Sequence, residues 1–360
     1  MTLTRLQKLR DGIVQVDREM VRLLNKRAGL ALEIGKIKAK LGRAVYDPSQ
    51  EQRIYENLAE TNDGSLPLKS LQAIFREIIS ASRVLQSPVT VAYLGPEGTY
   101  AHLAAQCHFG SSSQFSSQTS IARVFEEVEK GKVNWGVVPV ENSVEGSVNL
   151  TLDRLITTTL SIRTEILLPI HHCLLTKQGS MSGIEKVYSH PQALAQCQEW
   201  LRFNIPRAVP VAVESTSAAA KKAVHEEGGA AIGSKSASEI YGLAVLAEGI
   251  EDKSSNTTRF LVIGEGSGEA TGNDKTSLLF GAPDTPGALC RILQTFADRG
   301  INMMKIESYP VKDRLWEYLF FVDITGHGQD EKIRESLDDL RQKTTFLKIL
   351  GSYPRSEAIK

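Results

Sequence analysis

The chain has 360 residues, with 42 Lys and Arg against 42 Asp and Glu, so its formal net charge is zero. This balance excludes a global field that would favour nucleic acid or an anionic membrane as a partner. A chain of this length is expected to form two or three domains. Four scattered cysteines without a C-x-x-C pair predict a reduced, cytoplasmic protein without a structural metal. No apolar run reaches the length of a membrane span.

The first part of the chain is predicted to be helical. Apolar residues recur at steps of three and four over residues 3–41, which is typical of a long helix buried along a narrow seam. Asp47 and Pro48 are an N-cap and a first-turn residue for a second helix, and a third helix is expected over 68–86. Residues 1–88 therefore predict an all-α domain. One long helix with two short ones cannot close a core, so we expect a homo-oligomer, either a dimer or a tetramer.

Several polar residues lie at helix positions that face this apolar seam. Each of them alone is compatible with an arginine that reaches solvent or with a polar helix end. Together, cations with an amide and a carboxylate inside one bundle would be costly to bury without an anionic ligand. The pattern predicts a small ligand with two carboxylates. The residues are Arg10, Arg27, Lys38, Glu51, Ser82 and Gln86.

With these residues in these positions, residues 5–86 resemble the helical bacterial chorismate mutase, which works as an intertwined dimer. The resemblance implies the Claisen rearrangement of chorismate to prephenate, which requires no metal and no cofactor. It also implies that arginines hold the carboxylates while Lys38 and Gln86 donate to the ether oxygen and Glu51 holds the ring hydroxyl. Many relatives have arginine where this chain has Gln50. The implied catalytic residues are Arg10 of the other subunit, Arg27, Lys38, Asp47, Glu51, Ser82 and Gln86.

From residue 89 the periodicity changes to short apolar runs that alternate with helical stretches, which predicts a two-lobed α/β domain with a cleft over 89–266. The adjacent His171 and His172 fall within one predicted strand. They would face opposite sides of it, so a structural role is favoured over a metal site. Strands are expected over 89–94, 133–140, 166–176, 184–188, 208–213, 230–233 and 259–263, and helices are expected to start near Thr99, Thr119, Pro191 and Ser215.

Four strings of residues each join the end of a strand to a turn or to the start of a helix. Each of them could be an ordinary helix cap. Strand ends that lead into helix N-termini also form notches that bind anions, and four of them in one domain predict a cleft for a small carboxylate. The strings are Leu94–Tyr100, Val138–Ser143, Ser189–Gln192 and Glu214–Ser217.

A fifth string, Asn-Thr-Thr-Arg-Phe at residues 256–260, resembles the signature of prephenate dehydratases, and the other four strings resemble the same family over residues 89–265. The resemblance implies two lobes like those of periplasmic ligand-binding proteins. It further implies that prephenate is dehydrated and decarboxylated to phenylpyruvate in the cleft, with Thr258 as the catalytic residue. The implied substrate-binding residues are Thr99, Asn142, Ser143, Ser189, Gln196, Glu214 and Arg259.

Residues 264–273 are a glycine-rich linker by composition, and residues 274–360 predict a βαββαβ unit of the α+β, ferredoxin-like kind. The strings at 284–289 and 307–310 in this unit resemble those of an ACT domain. The resemblance implies feedback inhibition by phenylalanine, although Tyr309 stands where that family has arginine. A domain that only dimerises is the alternative. The implied effector-binding residues are Gly287, Ala288, Leu289, Asn302, Glu307 and Ser308.

The combined expectation is a multidomain enzyme with two activities and a regulatory domain. Its partners would be chorismate, prephenate and phenylalanine, with neither nucleic acid nor a membrane. Two alternatives stay open. One is a solute-binding sensor without catalysis, and the other is a dehydratase whose helical part only dimerises.

Overall fold

The computed structural model of the chain describes residues 2–42, 45–253, 255–310 and 318–356. These residues form two compact units. The smaller unit holds the N-terminal helices together with Phe109–Gln114. The larger unit holds both the α/β part and the C-terminal part of the chain.

The smaller unit contains the three helices expected from the sequence, α1 (Thr2–Lys40), α2 (Pro48–Thr61) and α3 (Leu68–Gln86). The Asp47 side chain caps α2 by accepting from the backbone N–H of Gln50 at 3.1 Å, with proline in the first turn as predicted. Helix α1 packs closely on α3 because Gly35 has no side chain: a Cβ there would lie 2.7 Å from Cγ of Gln86. Much of the apolar seam of α1 stays exposed, for example Ile13 at 61%.

The α/β part contains eleven strands and seven helices in the residues described, in addition to one short 3₁₀ turn, Met181–Gly183. In chain order they are β1 (Thr90–Leu94), α4 (Tyr100–Phe109), β2 (Gln114–Gln118), α5 (Ile121–Glu129), β3 (Trp135–Asn142), β4 (Gly146–Ser147), α6 (Asn149–Thr157), β5 (Ser161–Pro169), β6 (Cys173–Thr176), β7 (Lys186–Ser189), α7 (Pro191–Gln196), α8 (Gln198–Asn204), β8 (Val209–Ala212), α9 (Thr216–His225), β9 (Gly229–Gly233), α10 (Lys235–Tyr241), β10 (Ala244–Glu248) and β11 (Thr257–Gly264).

These strands form two sheets, one for each lobe. The first has the order β2-β1-β3-β11-β5, with β4 beside β3, and the second has the order β10-β6-β9-β7-β8. The chain crosses to the second lobe between β5 and β6 and returns between β10 and β11. The crossing segments, residues 170–172 and 249–256, therefore connect the two lobes.

The prediction of one strand over 166–176 is wrong. The structure divides this run into β5 and β6, which belong to different sheets, so His171 and His172 lie in the crossing segment and not on a strand. Apolar composition alone could not show this break, because residues on both sides of it are buried in a lobe core. Strand β2 was missed because its sequence, Gln-Phe-Ser-Ser-Gln, is mostly polar, as suits a strand at a sheet edge.

The C-terminal part confirms the predicted βαββαβ order. Its sheet has the strand order β13-β14-β12-β15, all antiparallel. The helices and one sheet face enclose a core, and the other face joins the core of the first lobe, where Leu279 and Tyr353 cluster with Val138 and Leu261. The elements are β12 (Asp274–Gly281), α11 (Ala288–Ala297), β13 (Met303–Pro310), β14 (Tyr318–Thr325), α12 (Glu331–Lys343) and β15 (Phe346–Pro354). The alternating pattern predicts the two middle strands of this unit over 302–311 and 317–324, and their ends at Val311 and Glu317 lie outside the described residues.

Candidate active sites

In the smaller unit, α1 and α3 bring three of the predicted residues together. The Arg27 guanidinium donates to Ser82 Oγ at 2.6 Å, and this hydroxyl donates to the Ile78 carbonyl at 2.7 Å. Gln86 Nε2 donates to the Ser82 carbonyl at 3.1 Å. Gln86 Oε1 is buried and accepts no hydrogen bond from the described residues. The side-chain oxygen of Gln86 can thus still accept a hydrogen bond from a ligand.

The start of α2 adds a second group of predicted residues. Lys38 Nζ donates to the Val45 carbonyl at 3.1 Å and lies 3.8 Å from Asp47 Oδ2. Glu51 Oε1 lies 3.4 Å from Arg83 Nε. Burial raises the pKa of Glu51 to about 7, although the positive charge of Arg83 lowers it. This carboxyl therefore changes its charge near neutral pH.

Arg83 was missed by the sequence reasoning, although it follows Ser82 directly on α3. Its side chain is only 4% exposed. The guanidinium donates to the Phe109 carbonyl at 3.0 Å and lies over the rings of Tyr46 and Phe109, at 5.4 and 5.5 Å from their centroids. Its sequence position, in the last turn of α3, is typical of an ordinary basic residue at a helix C-terminus. Arg10, in contrast, is exposed on α1, far from this cluster.

In the larger unit, a cavity of about 760 Å³ lies between the two lobes of the α/β part. Both crossing segments contribute to its wall. Of the eight residues predicted for this cleft, Thr99, Asn142, Gln196, Glu214 and Thr258 line it. The polar lining residues are Thr99, Tyr100, Ser117, Gln118, Thr119, Asn142, His172, His190, Gln192, Gln196, Glu214, Ser215, Thr216, Lys221, Asn256 and Thr258.

A continuous set of hydrogen bonds runs along one side of this cavity. Asn142 Nδ2 donates to Thr258 Oγ1 at 2.8 Å and to Asn256 Oδ1 at 2.7 Å. Asn256 Nδ2 donates to Gln196 Oε1 at 3.0 Å, and His172 Nε2 lies 2.9 Å from the same oxygen. The sequence pattern favoured a structural role for both histidines. The structure instead separates them: His172 reaches the cavity, whereas His171 pairs with Glu251 near the surface.

Helix N-termini and a lysine make the cavity suitable for an anion. Helices α4 and α9 begin at its wall, and Ser215 caps α9 by accepting from the backbone N–H of Ala218 at 3.0 Å. Free N–H groups and the helix dipole favour negative charge at such ends. Lys221, one turn into α9, adds a positive charge to the lining.

Three of the predicted substrate-binding residues lie elsewhere. Ser189 is fully buried, and its hydroxyl donates to the Ile232 carbonyl at 2.8 Å, which ties β7 to β9. The Ser143 hydroxyl donates to the Ser255 carbonyl at 3.0 Å and accepts from the Thr257 N–H at 2.9 Å, so it fixes the second crossing segment.

Arg259 lies on the face of β11 opposite to Thr258, because successive strand residues point to opposite faces. Its guanidinium contacts Glu165 at 2.8 Å, Asp323 at 2.7 Å and the Tyr353 hydroxyl at 3.0 Å. The expectation that Arg259 binds substrate is therefore corrected: this side chain is directed to the C-terminal part of the chain.

The residues predicted to bind an effector form two groups. Gly287 precedes α11 with φ of 76°, a conformation that favours glycine, and Ala288 follows it. Leu289 is packed against the core of the C-terminal part. On β13, Glu307 lies 3.1 Å from Lys305, whereas Ser308 is exposed on the other face, and Asn302 is exposed just before the strand. The structure of one chain does not bring these residues into one pocket.

Tyr309 is buried and faces the α/β part. Its side chain is 5% exposed, and its hydroxyl donates to the carboxylate of Asp153 on α6. The ring meets Phe321 edge-on at a centroid distance of 6.1 Å. Tyr309, which stands where ACT domains have arginine, thus connects the C-terminal part to the α/β part.

No group of three or more potential metal ligands occurs among the residues for which the structure gives a position. Within that same part of the chain, no helix has the length and apolar character needed to cross a membrane.

The chain matches the family models of chorismate mutase type II over residues 9–87, prephenate dehydratase over residues 91–267 and the ACT domain over residues 276–342. A bifunctional chorismate mutase/prephenate dehydratase of Aquifex aeolicus is 45% identical over 355 residues, or 98% of each chain. The chain belongs to the family of bifunctional chorismate mutase/prephenate dehydratases.

Two further relatives support the same membership. A bifunctional chorismate mutase/prephenate dehydratase of Neisseria gonorrhoeae is 45% identical over 348 residues, which cover 96% of each chain. The crystal structure of a prephenate dehydratase from Arthrobacter aurescens in complex with L-Phe has a TM-score of 0.69 and 36% identity, and covers 74% of this chain and 90% of that one. The helical unit is accordingly the mutase part, the α/β part is the dehydratase part, and the C-terminal part is the ACT domain.

Proposed function

We propose that the helical cluster holds chorismate in the folded conformer that rearranges to prephenate, and that the inter-lobe cavity converts prephenate to phenylpyruvate under feedback inhibition by phenylalanine. The hydroxyl of Thr258 on the cavity wall carries this proposal. We also propose domain boundaries at 1–88, 89–266 and 274–360. The end of the smaller compact unit at Val89 and the ranges of the three family models support them.

In the mutase part, the rearrangement breaks the ether C–O bond and forms a C–C bond without proton transfer. Its rate depends on holding the substrate folded and on stabilising negative charge on the ether oxygen. Arg27 is suited to bind a carboxylate, and Lys38 and Gln86 would donate to the ether oxygen. Each already has a partner that orients it, and the N–H hydrogens that these partners leave free, including the second hydrogen of Gln86 Nε2, would be donated to the ligand. Glu51 would accept from the ring hydroxyl, with Asp47 and Ser82 orienting Lys38 and Arg27.

A second copy of the chain is part of the proposed mutase site. Arg10 and Arg27 are about 25 Å apart along α1, at about 1.5 Å per residue, so Arg10 cannot reach the cluster in its own chain. The apolar side chains of α1 that a partner would cover are exposed, for example Leu9 at 61% and Val16 at 59%. We therefore propose a homodimer through α1, with a tetramer as the alternative. A particle mass of one chain in light scattering would contradict it.

In the dehydratase part, the ring carboxylate leaves as carbon dioxide, and the electron pair of the broken C–C bond completes the aromatic ring as the C–O bond breaks. The hydroxide that leaves takes up a proton to become water. Thr258 would donate a hydrogen bond to the leaving oxygen. Thr99, Glu214 and Gln196 line the same cavity and would bind the rest of the substrate.

A pair of variants tests this assignment. Thr258→Val removes the hydroxyl but keeps the branched shape, and we expect the dehydratase kcat to fall about a hundredfold or more. Thr258→Ser keeps the donor and should retain most of the activity. The mutase activity of the same preparations is the internal control for folding. If Thr258→Val dehydrates prephenate at the wild-type rate, the assignment is wrong.

Phenylalanine is the effector that the ACT domain and the L-Phe complex of the Arthrobacter aurescens enzyme support. We propose that Gly287, Ala288 and Leu289 of one chain meet Asn302, Glu307 and Ser308 of a second, since one chain does not join them. Dehydratase rates that are equal with and without millimolar phenylalanine would refute the effector. We place the protein in the cytoplasm, which its four free cysteines support.

A further inference from the structure

The orientation of the Asn142 side chain can be deduced from the backbone around it. Its Oδ1 atom accepts from the backbone N–H groups of Val144 at 3.0 Å and Glu145 at 3.2 Å, in the turn between β3 and β4. Two N–H donors require an oxygen at this position, because an amide nitrogen would direct its own hydrogens at them. The Nδ2 group of Asn142 must therefore point the other way, to Thr258 and Asn256.

This orientation fixes the role of the Thr258 hydroxyl. Thr258 Oγ1 accepts one hydrogen of Asn142 Nδ2 at 2.8 Å. In the part of the chain that the structure describes, no group accepts the hydroxyl hydrogen of Thr258, and the residue lines the cavity. The hydroxyl is thus held as a donor to the substrate.

The orientation of Asn142 also fixes the hydrogen-bonding directions of Asn256, Gln196 and His172. The second hydrogen of Asn142 Nδ2 goes to Asn256 Oδ1, so Asn256 presents its nitrogen to Gln196 Oε1. That oxygen also lies 2.9 Å from His172 Nε2. Two groups that share one acceptor oxygen must both be donors, so His172 carries a hydrogen on Nε2.

The opposite nitrogen of His172 completes the assignment. The Tyr100 hydroxyl lies 2.8 Å from His172 Nδ1 and 2.8 Å from the His171 carbonyl. Burial lowers the pKa of His172, although the bond to Gln196 raises it. The ring is therefore neutral at pH 7. With its hydrogen on Nε2, Nδ1 accepts, so the single hydrogen of the Tyr100 hydroxyl is shared between Nδ1 and the His171 carbonyl. This arrangement leaves Gln196 Nε2 buried and without a partner among the described residues, so a donor on the cavity wall remains for a ligand.

We propose that the hydrogen-bonded side-chain amides of Asn142, Asn256 and Gln196, called the amide network below, direct two donors into the dehydratase cavity. These donors are the Thr258 hydroxyl and Gln196 Nε2. His172, at the end of the amide network, is a positioning residue. The proposal rests on the catalytic role proposed above for Thr258. His172 acts through Gln196: its Nε2 hydrogen keeps the Gln196 oxygen turned away from the substrate. An Nε2 atom without a hydrogen would instead accept a hydrogen bond from Gln196 Nε2, which would then no longer be available as a donor to the substrate.

The tautomer of His172 tests the orientation of the side-chain amides in the amide network independently of enzyme activity. The full-length protein is labelled with ¹⁵N-histidine, and the ring signals of His172 are assigned by their loss in His172→Gln. We expect the neutral tautomer with hydrogen on Nε2 in the ligand-free wild type at pH 7.5. Hydrogen on Nδ1 alone, or a charged ring, would overturn the proposal whether or not Thr258 proves to be catalytic.

Asn142→Asp should reverse the donor and acceptor directions of the hydrogen bonds in the amide network. One oxygen of the introduced carboxylate keeps the two backbone N–H groups, and the other becomes an acceptor that faces Thr258 and Asn256. The Asn256 and Gln196 amides must then turn, and the His172 hydrogen should move to Nδ1. The Thr258 hydroxyl would donate to this carboxylate and not to the substrate, so kcat for prephenate should fall about a hundredfold or more.

The control for this variant is Asn134→Asp, which makes the same change at an exposed side chain that accepts from the Thr90 N–H at 2.8 Å. It should change neither the tautomer nor kcat. An unchanged His172 tautomer in Asn142→Asp would contradict the proposal.

The positioning role of His172 has a kinetic signature of its own. His172→Leu should raise KM for prephenate about tenfold or more, since loss of one buried donor costs about 1–3 kcal/mol, with a smaller change in kcat. His172→Gln offers an amide donor to Gln196 and should restore most of the loss. In the His172→Leu background, Gln196→Ala should add little. Fully additive losses would show that the two residues act separately and would overturn this part of the proposal.

Discussion

Four charged side chains form a cluster where the dehydratase part meets the ACT domain. Arg259 lies 2.8 Å from Glu165 and 2.7 Å from Asp323, and Lys275 lies 2.9 Å from Glu165 and 3.9 Å from Asp323. All four side chains are at most 12% exposed. Burial raises the pKa of Asp323, but the charges of Arg259 and Lys275 outweigh it and hold the pKa below its usual value. Two cations therefore balance two anions at neutral pH.

Asp323→Asn removes one charge from this balance with little change of shape. Unit charges about 4 Å apart attract by about 4 kcal/mol at an effective dielectric constant of about 20, and removing one partner of a buried pair costs about 3–5 kcal/mol. We expect a loss of that size in the free energy of unfolding. Urea titration of the full-length protein, followed by circular dichroism, measures it. Asp338→Asn, which breaks a surface pair with Arg341, should be nearly neutral.

A double variant then separates lost charge balance from lost packing. Lys275→Met removes a cation, so that Lys275→Met with Asp323→Asn leaves the Arg259–Glu165 pair balanced. The double variant should be more stable than the sum of the single losses predicts, by about 1 kcal/mol or more. Additive losses, or a cost for Asp323→Asn no larger than that for Asp338→Asn, would refute the reasoning.

Three further predictions concern the mutase part. Lys38→Ala should lower the mutase rate by about two orders of magnitude or more, followed by chorismate absorbance, while prephenate turnover stays unchanged; a near-normal mutase rate would remove the assignment. Gly35→Ala puts a methyl group 2.7 Å from Cγ of Gln86, so mutase rate and melting temperature should both fall, whereas Gly29→Ala, with open space around it, should retain both. Because the folded pKa of Glu51, about 7, lies above its unfolded value of about 4.3, its contribution to stability is lost as pH rises through this window. Glu51→Gln should remove a decline of up to about 1.4 kcal/mol per pH unit from urea titrations between pH 5 and 7; identical slopes would contradict the raised pKa.

The sequence predicted those features that depend on local chemistry. The N-cap at Asp47 and the proline after it place the start of α2, and the helical period places Arg27 and Ser82 on facing helices. The βαββαβ order of the ACT domain follows from alternating periods in the same way. The five cleft residues that line one cavity come from separate strings, and their meeting was expected because strand ends lead into helices at one edge of a sheet.

The remaining features depend on contacts between distant parts of the chain. His172 was predicted to have a structural role because it falls within the single strand predicted over 166–176. In the structure the chain passes from one lobe to the other at this residue. Arg259 was expected to bind substrate because it belongs to the Asn-Thr-Thr-Arg-Phe string that resembles the prephenate dehydratases. Its contact with Asp323 of the ACT domain, 64 residues later, is visible only in the structure. Arg83 was missed because burial at the end of α3 comes from Phe109, which follows 26 residues later. No local pattern contains this information.

The central claim is that one chain catalyses two consecutive steps at separate sites. Feeding chorismate to the purified protein, with separation of the products, tests it most directly. The wild type should yield phenylpyruvate, and Thr258→Val should accumulate prephenate. Lys38→Ala should consume chorismate about a hundredfold more slowly but still convert added prephenate at the wild-type rate. Chorismate that stays unchanged with the wild type, or phenylpyruvate formed at the wild-type rate by Thr258→Val, would contradict the account.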